Sequence, residues 1–242
     1  AAYGVPEGGH NGGGVYVGER LLRSQLLLPF EKAVKSGAAT VMTSYNQVDG
    51  IPCTSNKRLL TDILRGEWGF DGFVYSDLYS IEVIHSLGAA CDTAQAASLA
   101  LKAGLDMDLG GDAYGNNLKN ELVKGAISMD DINRAVANVL RMKFRQGLFE
   151  NPYVDPIRAR TTCRSTEHIA IAEQVAEEGV VLLKNDEVLP LSPTLGRIAV
   201  IGPNADTPYN QLGDYTAPQA REAICTVLDG VKAAVRNKTE VA

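Results

Sequence analysis

Residues 72–77 read GFVYSD, a short apolar run that ends on a carboxylate, and this stretch decides the predicted fold. Two similar β-prone runs flank it, ATVMTSY at 39–45 and LDMDL at 105–109. Between the runs, apolar residues recur at helical spacing, which predicts helices over 55–69 and 93–103. The first is expected to be capped by Ser55 and to turn inward the apolar side chains of Leu59, Leu60, Ile63 and Leu64. Strands that alternate with helices are typical of an α/β protein with a parallel sheet or part of a (β/α)8 barrel.

Helical patterns continue on both sides of these runs. Apolar residues recur at helical spacing over 18–36, and 116–124 is predicted to be a short helix. Ser128 and Asp131 have the spacing of a capping box, in front of a long amphipathic helix that Gly147 would end. The residues expected to form the buried stripe of that helix are Ile132, Ala135, Val136, Val139, Leu140 and Phe144.

The alternation stops at 150–165, where two prolines and the lack of a hydrophobic period predict a linker. We therefore expect two unequal parts, residues 1–149 and 166–242. The second part is predicted to contain a helix, two strands and a largely helical segment, at 166–178, 180–183, 197–201 and 220–235. The inward face of its first helix is predicted to carry Ile169, Ala172, Val175 and Ala176.

The first part is too short for a closed barrel. Such a barrel needs eight strand–helix units and about 250 residues. Only three units fit before the linker. An arc of three strands leaves both sheet edges unpaired. The first part is therefore either an open sheet or an internal segment of a larger enzyme.

Composition argues against several classes of function. Lys and Arg total 23 against 29 Asp and Glu, and the net charge of −6 argues against a nucleic-acid binder. No apolar run approaches the roughly 20 residues of a membrane-spanning helix. The cysteines form no CxxC pair and the histidines no HExxH pattern, so neither a zinc site nor a cysteine nucleophile is expected. The thiols expected to be buried or idle are Cys53, Cys91, Cys163 and Cys225.

Asp77 is the strongest candidate for chemistry, because it ends a predicted strand where parallel α/β folds place active-site groups. The other interpretation is that Asp77 caps a helix starting near Tyr79, and position alone does not separate the two. Tyr45 ends the preceding strand, so it would lie beside Asp77 if the two strands are neighbours. Its hydroxyl could then stabilise the ionised carboxylate, although packing at the sheet rim is the more ordinary role for a Tyr.

Two further patterns are weaker. Asp106 and Asp108 alternate on the third predicted strand, where two carboxylates could do acid–base work or bind a cation, but turn and helix-cap roles are favoured. Residues 198–206, IAVIGPNAD, form a predicted strand that enters a Gly-Pro-Asn turn. That turn lacks a GxGxxG pattern, so a non-catalytic α/β module that binds a small ligand or nucleotide is kept as the alternative to an enzyme.

Taken together, the motifs resemble glycoside hydrolase family 3, the retaining β-glucosidases and β-xylosidases. The resemblance rests on SYN-x-x-x-G at 44–50, WGF-x-G-x-x-x-SD at 68–77, and VLLKN-x-x-x-LPL at 181–191 followed by RIAVIGPNAD. It implies an α/β fold made of the C-terminal portion of a (β/α)8-like barrel followed by the beginning of an α/β sandwich domain. The substrate implied is an oligosaccharide or other β-glycoside, hydrolysed from its end, with no metal or organic cofactor.

The same resemblance implies roles for individual residues. Asp77 matches the family's catalytic nucleophile, which forms a covalent glycosyl intermediate. Met42 and Tyr45 match positions in the subsite for the terminal sugar. Tyr215 matches an aromatic residue that stacks on the next sugar, and Glu7 matches an acidic position in an early loop of the site.

This chain also departs from the family pattern. Leu78 follows the nucleophile where many members have Trp or Tyr, so one wall of the sugar clamp is weaker. The family's sugar-binding Lys-His pair would precede Ala1, and its acid/base Glu would follow Ala242. The chain is therefore expected to be the middle of a longer, secreted or periplasmic enzyme, and to be inactive without the rest of its polypeptide.

Overall fold

The computed structural model describes residues 5–192, 195–213, 215–235 and 239–242. It divides into two compact units, Ala1–Asp155 and Pro156–Ala242. The strands of the first unit are β1 (Gly14–Val15), β2 (Thr40–Met42), β3 (Gln47–Val48), β4 (Ile51–Pro52) and β5 (Phe73–Tyr75). Its α-helices are α1 (Glu19–Leu21), α2 (Leu28–Lys35), α3 (Ser80–Ser86), α4 (Thr93–Ala103), α5 (Ala113–Val123) and α6 (Met129–Arg145). The described residues of the unit also form two π-helices, Leu22–Leu26 and Arg58–Glu67, and two 3-10 turns, Glu7–Gly9 and Cys53–Ser55.

Strands β2 and β5 of the first unit are parallel neighbours. Their register pairs Val41 with Val74 and Met42 with Tyr75. Tyr75 also forms a parallel bridge with Met107, so the segment 105–109 lies on the far side of β5. That segment was expected to be a strand, but only the bridge forms, because the Leu109 N–H donates to the Ser76 side chain instead of to a backbone carbonyl.

The two faces of this sheet differ in burial. Val74 is fully buried and packs among Leu60, Leu64, Ile81 and Ile84, which come from the helices on one face. On the opposite face the side chains are exposed or half-buried; they belong to Thr40, Met42, Phe73, Tyr75 and Met107. Because side chains alternate along a strand, this less buried face is the one to which the residues at positions 73, 75 and 77 belong.

The helix Arg58–Glu67 has the inner face that the sequence predicts, and its four apolar residues Leu59, Leu60, Ile63 and Leu64 are buried. Its N-terminal cap differs from the expectation. The side chain of Asn56, and not that of Ser55, accepts a 3.1 Å hydrogen bond from the Leu59 N–H. Gly69 follows the helix in the left-handed conformation, with φ of 71°, and the chain turns there into β5.

Helix α6 begins with the predicted capping box of Ser128 and Asp131 but buries a different stripe. Its buried residues are Ala135, Asn138 and Met142. The expected stripe is wrong at three positions, since Val136, Leu140 and Phe144 are exposed. The reason is polar: Asn138 donates a 2.9 Å hydrogen bond to the buried Asp106, and this contact fixes the helix face that turns inward.

The second unit contains α7 (Pro156–Thr162), α8 (Thr166–Gly179), α9 (Val227–Val235), β6 (Arg197–Ile198) and β7 (Glu240–Val241), besides two 3-10 turns, Pro208–Gln211 and Arg221–Ala223. Strands β6 and β7 pair in parallel. Helix α7 occupies part of the segment in which no regular structure was expected.

Two expectations for the second unit are wrong. The residues predicted to face inward from α8 are exposed, as are all the others of that helix. Residues 180–183 form no strand, and Leu183 is 93% exposed. A strand requires backbone partners and an apolar helix face requires a covering element, and the described residues of this unit supply neither. Nowhere in the described ranges is there a helix long and apolar enough to cross a membrane.

Candidate active site

Asp77 lies two residues beyond β5, at the carboxyl end of that strand, and is half-buried. Burial alternates along the approach to it: Val74 and Ser76 are fully buried, whereas Tyr75 is only half-buried. The alternation assigns Asp77 to the less buried face of the sheet. A carboxylate at this place is held by a paired backbone and is still open to a molecule approaching from solvent.

The Asp77 carboxylate makes one hydrogen bond within the described part of the chain, a 2.7 Å bond from the Leu78 N–H to Oδ1. The other interpretation of the sequence, a cap for the next helix, does not fit this geometry. A capping side chain accepts from the second or third amide of its helix, and α3 has no side-chain cap. Instead, the Asp77 carbonyl accepts a 3.1 Å hydrogen bond from the Ser80 N–H, which closes the turn into α3.

Tyr45 reaches the same turn from the neighbouring strand, as the sequence predicts, but its hydroxyl has a different acceptor. It donates a 2.7 Å hydrogen bond to the carbonyl oxygen of Leu78. The expected bond from Tyr45 to the Asp77 carboxylate is therefore replaced, because a hydroxyl has one hydrogen to donate. Tyr45 is linked to Asp77 through the backbone of Leu78, and sequence patterns contain no signal for a carbonyl acceptor.

The turn after Asp77 has an unusual backbone. Tyr79 is left-handed, with φ of 58° and ψ of 15°, a conformation that costs a non-glycine residue on the order of 1 kcal/mol. Its N–H donates a 3.1 Å hydrogen bond to the Leu109 carbonyl. Gly110 then adopts φ of 73°, and a Cβ atom placed there would overlap the Leu78 side chain. The turn therefore packs closely against the 109–111 segment. No sequence pattern indicated that Gly110 is needed for this contact.

The remaining sequence-predicted residues are not brought to Asp77 by any described bond. Met42 ends β2, is 49% exposed and lines an apolar cavity of about 340 Å³ that neither Tyr45 nor Asp77 lines. Glu7 is exposed at the start of the turn Glu7–Gly9. Tyr215 belongs to the second unit, and its side chain is fully exposed. The roles of these residues stay predictions.

Asp106 and Asp108 have structural roles, but only Asp108, which accepts from the first turn of α5, fits the favoured interpretation of a turn or helix cap. Asp106 is buried and accepts hydrogen bonds from the Val74 N–H at 2.8 Å and from Asn138. It also pairs with the guanidinium of Arg65. Burial raises the pKa of the Asp106 carboxyl, although these donors favour its ionised form. Asp108 accepts a 3.1 Å bond from the Tyr114 N–H in the first turn of α5.

The GPNAD segment does not have the geometry of a nucleotide-binding turn. Such a turn leads from a strand directly into a helix whose N-terminal amides hold phosphate. Here the 3-10 turn Pro208–Gln211 follows, and Asn210 and Gln211 donate side-chain hydrogen bonds back to the carbonyls of Pro203 and Asn204. Asp206 accepts a 3.0 Å bond from the Thr226 hydroxyl.

Acidic residues and thiols elsewhere in the described ranges suggest no further centre. These ranges hold no cluster of three or more His, Cys, Asp or Glu side chains that could bind a metal ion. All four thiols are free, and Cys53 is buried as expected. The other three, Cys91, Cys163 and Cys225, are exposed, and for them the prediction of buried or idle thiols reduces to its second half.

Comparison with protein families gives two matches in chain order. The model of the glycosyl hydrolase family 3 N-terminal domain matches residues 1–142. The model of the C-terminal domain of the same family matches residues 180–242.

Individual relatives agree with these matches. The chain is 36% identical to a periplasmic β-glucosidase of Salmonella typhimurium over 100% of its own length and 32% of that protein. It is 37% identical to a β-xylosidase of Formosa agariphila, over 98% of this chain and 35% of that protein. Among solved structures, a β-glucosidase of Listeria innocua superposes with a TM-score of 0.89 at 33% identity, over 99% of this chain and 33% of that one. The chain therefore spans about a third of the length of the curated relatives it matches.

Proposed function

The chain belongs to glycosyl hydrolase family 3, and from that premise we propose that Asp77 is the nucleophile of an exo-acting, retaining β-glycosidase. The observation that carries the proposal is the place of Asp77 at the carboxyl end of β5, half-exposed, with Oδ1 held by the Leu78 N–H. The second oxygen, Oδ2, has no partner among the described residues and is the atom we assign to attack.

The proposed reaction has two steps. In the first, a carboxylate oxygen of Asp77 forms a bond to the anomeric carbon while the glycosidic C–O bond breaks, and a second carboxyl group gives its proton to the leaving oxygen. In the second, water attacks the same carbon, the bond to Asp77 breaks, and the second carboxyl group recovers a proton from that water. The configuration at the anomeric carbon is inverted twice and is therefore retained.

A retaining site needs its two carboxyl groups about 5–5.5 Å apart. This chain is proposed to supply one of them, and the acid/base Glu is expected outside residues 1–242. We accordingly propose that the first unit forms part of a (β/α)8-like barrel and the second the beginning of an α/β sandwich. Residues 1–242 by themselves are expected to be inactive.

The substrate class follows from the relatives. Proteins named as β-glucosidases and as β-xylosidases both match at 36% and 37% identity, so we propose terminal β-glucosides or β-xylosides as substrates. A β-glucosidase of Listeria innocua has been solved with glucose and, as a variant, with laminaribiose. Export to the periplasm or the medium is proposed because one relative is named as a periplasmic enzyme.

The test is hydrolysis of nitrophenyl β-glucoside and nitrophenyl β-xyloside by the full-length protein. Asp77→Ala is expected to lower kcat by at least about a thousandfold, because it removes the attacking atom. Asp130→Ala, at an exposed position in the first turn of α6, is the control and should keep wild-type activity. Full activity of Asp77→Ala would end the proposal, and the faster of the two substrates decides the sugar.

A further inference from the structure

Three buried hydroxyl groups form a chain beneath the Asp77 turn. The hydroxyl oxygens of Thr43 and Thr54 are 3.0 Å apart, and those of Thr54 and Ser80 are 3.1 Å apart. All three residues are at most 3% exposed. None of them had been singled out from the sequence, although each is a short polar residue next to the end of a strand or the start of a helix.

The hydroxyl chain connects three segments that are far apart in sequence. Thr43 follows β2, and its N–H donates a 2.9 Å hydrogen bond to the Tyr75 carbonyl at the end of β5. Thr54 lies in the 3-10 turn Cys53–Ser55. Ser80 is the first residue of α3, and its N–H donates to the Asp77 carbonyl. One continuous path of hydrogen bonds therefore leads from the end of β2 to the backbone of Asp77.

This path acts on the strained part of the turn. The left-handed Tyr79 lies between Leu78, which Tyr45 holds, and Ser80, which Thr54 holds. A non-glycine residue stays in that conformation only when the surrounding structure fixes it. The bonds at positions 78 and 80 are two such constraints, one on each side of the strained residue.

We propose that Thr43, Thr54 and Ser80 are positioning residues that fix the direction of the Asp77 carboxylate, an inference that rests on the proposed role of Asp77 as nucleophile. Thr54 is the central member. Its hydroxyl is hydrogen-bonded to the hydroxyls of both Thr43 and Ser80, and loss of that hydroxyl breaks both bonds whichever atoms donate. The two remaining hydroxyls are buried, and leaving a buried hydroxyl without its partner costs free energy.

The experiment compares Thr54→Val, which keeps the shape of the side chain and removes the hydroxyl, with Thr54→Ser, which keeps the hydroxyl. In the full-length protein Thr54→Val is expected to lower kcat about tenfold with KM within about twofold, because a misdirected nucleophile slows the chemical step more than binding. Thr54→Ser is expected to restore most of that kcat.

Ser80→Ala and Ser98→Ala form a second, milder pair. Both remove one buried hydroxyl with a single described hydrogen bond, since Ser98 donates 3.2 Å to Glu121 between α4 and α5. Only Ser80→Ala is expected to lower kcat, and Ser98→Ala should affect thermal stability alone. This pair decides the matter if the valine variant does not fold.

Three results would overturn the inference: wild-type kcat in Thr54→Val, equal kcat in Thr54→Val and Thr54→Ser, or equal loss in the two serine variants. Asp77→Ala, measured in parallel, distinguishes failure of the positioning role from failure of the proposed nucleophile. If that variant is inactive and the hydroxyl variants are not impaired, only the positioning role is wrong. If that variant is fully active, the proposed function is wrong and the inference fails with it.

Discussion

The Tyr45 hydroxyl donates a 2.7 Å hydrogen bond to the carbonyl oxygen of Leu78, the residue that directly follows Asp77. The N–H of the same leucine donates to the Asp77 carboxylate at 2.7 Å. Leu78 therefore links the two residues: its carbonyl accepts from Tyr45, which follows β2, and its N–H donates to Asp77, which follows β5. Backbone contacts, besides side-chain contacts, determine where the Asp77 carboxylate lies.

Tyr45→Phe is expected to lower kcat about tenfold in the full-length protein, because the Leu78 carbonyl loses its donor while the ring is kept. The measurement is kcat and KM on nitrophenyl β-glucoside and nitrophenyl β-xyloside. Tyr153→Phe is the matched control, since Tyr153 is 84% exposed in the same unit and should leave both constants unchanged. Equal activity of the two variants would show that the bond does not matter.

Gly110→Ala is expected to destabilise the protein by at least about 1 kcal/mol and to lower activity. The backbone at Gly110 has φ of 73°, and the added methyl group would displace Leu78 beside Asp77. Gly115→Ala is the opposite case, because Gly115 lies in α5 with open space around it and alanine favours a helix by about 0.5–1 kcal/mol. Thermal midpoints and kcat of both variants check the prediction, which is wrong if Gly110→Ala behaves like Gly115→Ala.

Asp131 makes the start of α6 sensitive to acid. The Ser128 N–H donates a 3.0 Å hydrogen bond to its carboxylate, and this bond is the main reason that the pKa of Asp131 lies below its ordinary value. A folded-state pKa below the unfolded value means that the stabilisation is present above about pH 4 and is lost as the pH falls through the folded pKa.

Asp131→Asn is therefore expected to cost about 1 kcal/mol near neutral pH and to remove this acid-dependent contribution. Hydrogen exchange of the peptide that covers 128–145, followed from pH 7 to pH 3, is the measurement. The neighbouring Asp130→Asn makes the same chemical change in the same turn without touching the capping box, and it should exchange like the wild type. Equal protection in both variants at neutral pH would contradict the expectation.

Asp106→Asn tests the structural role assigned to the second acidic residue. It leaves the guanidinium of Arg65, which is 17% exposed, without its carboxylate, and breaking a buried pair in this way costs about 3–5 kcal/mol. The same change at Asp62, whose pair with Lys57 is exposed, should cost less than about 1 kcal/mol. Denaturant unfolding measures both. A folded Asp106→Asn enzyme should keep kcat within about twofold. A larger fall in kcat would contradict a purely structural role for Asp106.

The sequence predicts best what is encoded locally. The inner face of Arg58–Glu67 and the Thr93–Ala103 bounds of α4 could be predicted because the apolar spacing and the glycine that follows α4 lie within or next to the helix itself. The capping box of Ser128 and Asp131 is equally local. No partner from elsewhere in the chain is needed to recognise such features.

Features that depend on distant partners could not be predicted in the same way. The buried stripe of α6 is set by Asn138 and Asp106, which lie 32 residues apart. Apolar residues are found on more than one face of that helix, so spacing alone cannot select the face. Residues 105–109 and 180–183 both have strand-like composition. The first forms only a bridge to β5, because the Leu109 N–H donates to the Ser76 side chain, and the second finds no backbone partner among the described residues.

The candidate site likewise contains features that the sequence could predict and features that depend on distant partners. Asp77 could be found because it directly follows a recognisable strand, and Tyr45 because sequential strands are usually neighbours. The acceptor of Tyr45, the overlap between Leu78 and Gly110, and the hydroxyl of Thr54 depend on how three separate segments approach each other. The spacing of residues along the sequence does not show which of these segments come into contact.

Covalent trapping of the intermediate tests the role of Asp77 most directly. A 2-deoxy-2-fluoro β-glycoside with a good leaving group slows both steps by destabilising the positive charge at the anomeric carbon, so the glycosyl ester accumulates. After incubation of the full-length protein and proteolysis, mass spectrometry should find the fluorosugar on the peptide that contains Asp77. A label on a different carboxylate, or hydrolysis of this compound without any covalent adduct, would contradict the assignment of Asp77 as the nucleophile.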